Sequence, residues 1–204
     1  TKNVLASVIK RVRELITKIL TFIKGKFTKQ TKQTEEVIKV VEKKIAAKEI
    51  VSKPELSIST LDIKKAQNLQ SAMGLLLDTA FKTSSPITSD IDGDIETLNE
   101  DFEALKKLDE KYKSNLFVDY TGDTMGLVHA LKALNYSATY HAKMITQIEG
   151  KINKKLDTLW DLPKEKSQEV LKLIHLLQAA ISLTNRLNIM ILSRVNSTLR
   201  LINK

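Results

Sequence analysis

PKEKSQEVLKLIHLLQAAISLTNRLNIMILSRVNSTLRLINK, residues 163–204, sets its apolar side chains on two neighbouring heptad seams. One runs Leu173, Leu176, Ala180, Leu183, Leu187, Met190. The other runs Ile174, Leu177, Ile181, Thr184, Asn188, Ile191, Val195, Thr198, Ile202. Alternating steps of three and four keep each seam on one side of a helix. Two adjacent seams make an apolar face too wide for one partner, so this helix is expected centrally among several. Its charges, Lys172, Arg186, Arg194 and Arg200, are sparse enough to point outward.

Working upstream, Leu162-Pro163 reads as a tight turn, with Pro in the first helical turn where its missing N–H costs nothing. A second long helix is expected before it, over about Asp123–Trp160. Two helices of nearly 40 residues joined so closely must run antiparallel, about 55–60 Å long at 1.5 Å per residue. Shorter helices are expected over about 4–24, 35–51, 59–82 and 94–114. Gly25–Thr34 reads as a polar connection or a frayed helical continuation, Ser52-Lys53-Pro54 as a stop, and Thr83–Gly93 as an exposed loop. The fold class is therefore all-α: an elongated bundle of about six helices with a C-terminal antiparallel hairpin and no sheet. Residues 1–53 form a basic amphipathic helical segment and residues 54–204 the bundle.

Six Gly and three Pro in 204 residues fit that class. Zero Cys excludes disulfides and thiolate chemistry and suits a reducing compartment. The net charge of +9 is unevenly spread: residues 1–53 hold 14 Lys/Arg against 5 Asp/Glu, residues 54–110 hold 5 against 12, and residues 111–204 hold 14 against 7. In the first helix Val8, Val12, Leu15, Ile19 and Phe22 make an apolar seam with basic residues around the remaining faces. A basic end of this kind points to a polyanion, either nucleic acid or an anionic membrane surface. The candidate contact residues are Lys10, Arg11, Arg13, Lys18, Lys24, Lys26, Lys29 and Lys32. No stretch reaches the roughly 18–20 apolar residues of a membrane span. The sequence opens on Thr1 rather than Met, which reads as a processed or trimmed chain.

Motifs of catalysis are weak. Asp90-Ile91-Asp92-Gly93-Asp94 places neither Gly nor Glu where a calcium loop needs them, and reads as a helix cap. His129, His141 and His175 show no ligand spacing, and Ser137–His141 lacks a nearby acid to orient the imidazole. His129, Tyr136 and Tyr140 read as a partly buried stripe. Aromatics do not interleave with the basic run, which disfavours stacking on single-stranded bases. No catalytic residue, cofactor, metal or small-molecule substrate is expected.

The function expected is that of a non-enzymatic structural or interaction protein whose basic end meets nucleic acid non-specifically, or an assembly partner or second copy. The alternative is a membrane-surface protein with the first helix in the headgroup layer. In its lysine-rich helical composition and its possible processing the chain resembles internal structural proteins of large tailed-phage virions. That likeness implies a virion interior and a place beside the genome.

Overall fold

The computed structural model describes residues 2–49, 58–86, 90–120 and 123–203. Along them the chain forms α1 (Lys2–Phe22), a π turn (Ile23–Phe27), α2 (Thr28–Ala46), β1 (Ile58–Leu61), α3 (Ile63–Thr83) and α4 (Ile91–Tyr112). It continues through β2 (Phe117–Tyr120), α5 (Thr124–Thr158), a 3-10 turn (Leu159–Asp161) and α6 (Lys164–Ile202). The class is all-α. The sequence pattern separates α1 from α2, but they join through the π turn into one rod, leaving five rods among the described residues.

Both seams of α6 are used. Leu173, Ile174, Leu177, Ala180, Ile181, Leu187 and Ile191 are buried, with Leu176, Leu183 and Met190 half-buried at the border. α5, α3, α4 and the N-terminal rod all pack on this helix. α5 follows it as a hairpin: the Ser167 hydroxyl donates to Leu159 O at the turn, and Asn188 Nδ2 donates to Ala138 O further along, at 2.8 Å. Two more buried amides cross between helices, Gln70 to Leu134 O at 2.9 Å and Asn135 to Thr31 O at 3.4 Å. Each satisfies a carboxamide donor on a neighbour's backbone, which fixes the axial position of α3, α5, α6 and the rod relative to one another.

Aspartates start three helices. Asp62 accepts from Lys65 N, Asp90 from Gly93 N at 3.0 Å, and Asp123 from Gly126 N. A Cβ at Gly93 would collide with the Asp90 carboxylate, so the third residue of α4 is small for the sake of its cap.

Several expectations need correction. The chain has strand: Ile58–Leu61 pairs antiparallel with Phe117–Tyr120, Leu61 opposite Phe117 and Ile58 opposite Tyr120. At four residues apiece these runs are too short for a two-residue period to register against the helical background. The third helix therefore begins at Ile63 behind the Asp62 cap rather than at Ser59 or Thr60. Of the two readings of Gly25–Thr34 the helical continuation holds, but it is packed rather than frayed, with Phe27, Thr31 and Thr34 buried. Its buried positions 23, 27 and 31 make two consecutive steps of four, a stutter that underwinds a helix; the π turn absorbs it, Thr28 N–H and hydroxyl both reaching Ile23 O. Lastly, α2 stops at Ala46, short of residue 51. Lys48 takes a left-handed φ of 58°, Lys48 N–H meets Ile45 O and Glu49 N–H meets Lys44 O, a Schellman ending built without glycine. Residues 50–57, including Pro54, lie outside the described residues, as do 87–89 of the expected loop. Within that loop Thr83 and Ser84 are buried rather than exposed, their hydroxyls bonded back to Thr79 O and Phe81 O.

Leu187 tests the core directly, being fully buried at the meeting of α6 with its neighbours. Leu187→Ala is expected to destabilise by about 2–5 kcal/mol, seen as a lower urea midpoint with an unchanged slope. An unchanged midpoint would place this residue outside the packed centre.

Candidate functional site

All eight candidate cations, Lys10, Arg11, Arg13, Lys18, Lys24, Lys26, Lys29 and Lys32, are exposed along one rod of α1, π turn and α2. The rod's opposite side, Ile9, Val12, Ile16, Ile23, Phe27, Ile38 and Val41, is buried in the common core. At 1.5 Å per residue the rod is about 65 Å long. Two of the eight lie at its flanks. Arg13 forms an ion pair with Asp157 of α5, and Lys24 interacts electrostatically with Glu149. Among the described residues no ion pair engages Lys10, Arg11, Lys18, Lys26, Lys29 or Lys32, and Glu14 is the sole acid on the rod before Glu35.

Beside this face runs a groove of about 580 Å³ between α1 and the tip of the α5–α6 hairpin, lined by Ala6, Lys10, Arg13, Thr17, Lys18 and Trp160 among others. Trp160 is 49% exposed. Its approach to α1 was not legible along the chain, because some 150 residues separate the two in sequence.

Inside, α5 carries two groups of unusual state. Glu149 is fully buried and neither carboxylate oxygen has a hydrogen-bond partner. Burial pushes its pKa up from 4.5 to about 8, with Lys24 pulling the other way. The signal was present in sequence: Ile145, Glu149, Ile152 and Leu156 follow seam spacing, with a charge where an apolar residue belongs. His141 is buried against α3, its Nε2 3.5 Å from where a Cβ on Gly74 would stand. Its Nδ1 has no partner, so the spacing with Ser137 yields no hydrogen-bonded pair at that atom. Desolvation lowers its pKa, opposed by Asp78.

Two lysines of α5 finish α3. Lys151 Nζ donates to Phe81 O at 3.0 Å and lies 3.5 Å from that ring's centroid, while Lys155 Nζ donates to Ser85 O at 2.6 Å. They bring cations to the negative end of the α3 dipole, Lys151 on a last-turn carbonyl and Lys155 on the first carbonyl beyond the C-cap. Burial pushes the Lys155 pKa down, and Asp94 of α4 acts against that.

The remaining candidates separate. Asp90 is a cap, and no group of three His, Asp or Glu among the described residues is arranged to hold a metal ion. Tyr136 and Tyr140 are 76% and 52% exposed, and His129 is exposed, so that stripe is a surface feature rather than partly buried. No helix among the described residues is long and apolar enough to cross a membrane. Comparison with protein-family models, curated proteins and solved structures gives no match for this chain.

Glu149 makes stability depend on pH in a defined direction. Its native pKa lies above its unfolded one, so the native state holds a proton that the unfolded state releases between pH 4.5 and about 8. Native stability therefore falls across that window, by at most about 4–5 kcal/mol at roughly 1.4 kcal/mol per unit. Glu149→Gln keeps the shape of the protonated acid and removes the titration. Urea unfolding should show the variant near the parent at pH 4.5 and more stable than it at pH 9; equal gains at both values would refute a buried, unpaired carboxyl.

Proposed function

We propose that this protein is a non-enzymatic structural or interaction protein that binds a polyanion along its N-terminal rod. One observation carries the reading: the rod buries Ile9, Val12, Ile16, Ile23 and Phe27 in the bundle, with Leu15 of the expected seam left exposed, and keeps all eight candidate cations facing out. A fixed line of cations on a rigid helix suits repeated phosphates, and contact through phosphates alone reads no sequence. Nucleic acid is favoured over a membrane surface. Insertion into headgroups uses the apolar face of an amphipathic helix, and that face of α1 is engaged by α5 and α6, leaving Val4 and Leu15 as its exposed large apolar residues. A place inside a nucleic-acid-containing assembly suits such a protein.

The test leaves both ion-paired and buried positions alone. Arg11, Lys18, Lys29 and Lys32 are exposed and take no part in the core. Changing all four to Glu removes eight units from a net charge of +9, leaving +1. Duplex DNA affinity is expected to fall at least about tenfold, and the slope of log K against log salt to shrink by about 3–4, near 0.9 for each phosphate no longer neutralised. Circular dichroism should remain that of the parent. Parental binding by the folded variant would refute the proposal.

A further inference from the structure

Trp160 is the chain's one tryptophan, and the fold places it in the groove beside the basic rod. It reaches there from the 3-10 turn at the hairpin tip, anchored by Leu159 of that turn and by Leu156 at the end of α5, both buried. The opposite wall is a single face of α1: Ala6, Lys10, Arg13 and Thr17 follow steps of four, three and four. Arg13 is tied to Asp157, which holds the wall against α5. Lys10 and Lys18 bring free ammonium groups, and Glu14 is the groove's one lining carboxylate.

Resting on the polyanion reading above, we infer that this groove seats single-stranded nucleic acid, with one base stacked on Trp160 and the adjoining phosphates held by Lys10 and Lys18. The chemistry is that of a half-exposed aromatic plane between cations. A base gains by stacking on such a plane whatever its identity, and the backbone on either side needs positive charge. A duplex does not fit as well, because its bases are already stacked on one another and turn only their edges outward. A lipid surface fits less well still. It would need apolar side chains around the indole, yet the exposed Val4 and Leu15 lie more than 100° round α1 from Lys10 at 100° per residue.

Because no other tryptophan is present, its emission reports this groove alone. The full-length protein is titrated with oligo-dT, with a mixed-sequence duplex of equal phosphate number, and with phosphatidylserine vesicles. Oligo-dT is expected to quench the emission and the duplex to leave it nearly unchanged. Measured by anisotropy of labelled DNA, Trp160→Ala should weaken oligo-dT binding about tenfold and Trp160→Phe much less, as the removal of one stacked base predicts. Both variants should bind duplex like the parent. Since the side chain is half-exposed, helical content should not change. If Trp160→Ala binds oligo-dT like the parent while duplex binding persists, the stacking seat is refuted and the rod reading stands. If no DNA binds at all, both fail. Blue-shifted, brighter emission on vesicles with no response to oligo-dT would overturn the inference in favour of a membrane contact.

Discussion

A 39-residue helix that is apolar on two seams has to be covered on both, and the arrangement of the other rods follows from that need. α5 folds back over one side by way of the Leu162-Pro163 turn, α3 and α4 take another, and the N-terminal rod closes what remains. Covering is not enough, because apolar stripes slide past each other at little cost. The buried amides of Gln70, Asn135 and Asn188 remove that freedom, since sliding would strand a carboxamide donor away from its carbonyl. Nonspecific burial drives the assembly and a few polar contacts choose its alignment.

The same interior holds groups that stability alone does not explain. Asn135 Oδ1, Asn188 Oδ1, Thr124 Oγ1, His141 Nδ1 and both Glu149 oxygens lack partners. The two asparagines have their donor ends engaged, which leaves an acceptor as the cost of the alignment just described. Glu149 is different, because nothing of it is satisfied. Its neutral state is set by desolvation, and the cation that acts on it, Lys24, is exposed, so its attraction is screened by water. Ionisation of this seam position on α5 thus acts against the native state as a whole.

The helical class was legible in sequence because long seams repeat the same message many times. The pattern at Leu173–Ile202 has enough turns to outvote its own Thr184, Asn188 and Thr198. Short elements have no such redundancy. Four residues of strand are too few to repeat any period, and the ending of α2 at Lys48 breaks the usual preference for glycine. The outward cations of the rod could be named from the sequence, but the side opposite them is set by Ile9, Val12, Ile16 and Ile23 rather than by a seam through Leu15, which is exposed. What composition could not show was proximity. Trp160, Lys151 and Lys155 act on segments some 70 to 150 positions away, and only the packing of α5 brings them there.

The small ribbon has a topological consequence. β1 leads directly into α3 and α4, and β2 into α5 and α6, so the chain after the rod is a strand–helix–helix unit written twice. Among the described residues neither strand has any other neighbour in its sheet, so each unit's opening segment is completed by the other unit. Asp62 N–H to Leu116 O, at 2.6 Å, and the Thr60–Thr198 hydroxyl contact at 3.1 Å stitch this clasp to the ends of three helices. Opening either hairpin leaves the partner strand with bare backbone groups and no sheet. The two units are therefore joined in one cooperative event, and partial unfolding that releases one while sparing the other is penalised by the clasp itself.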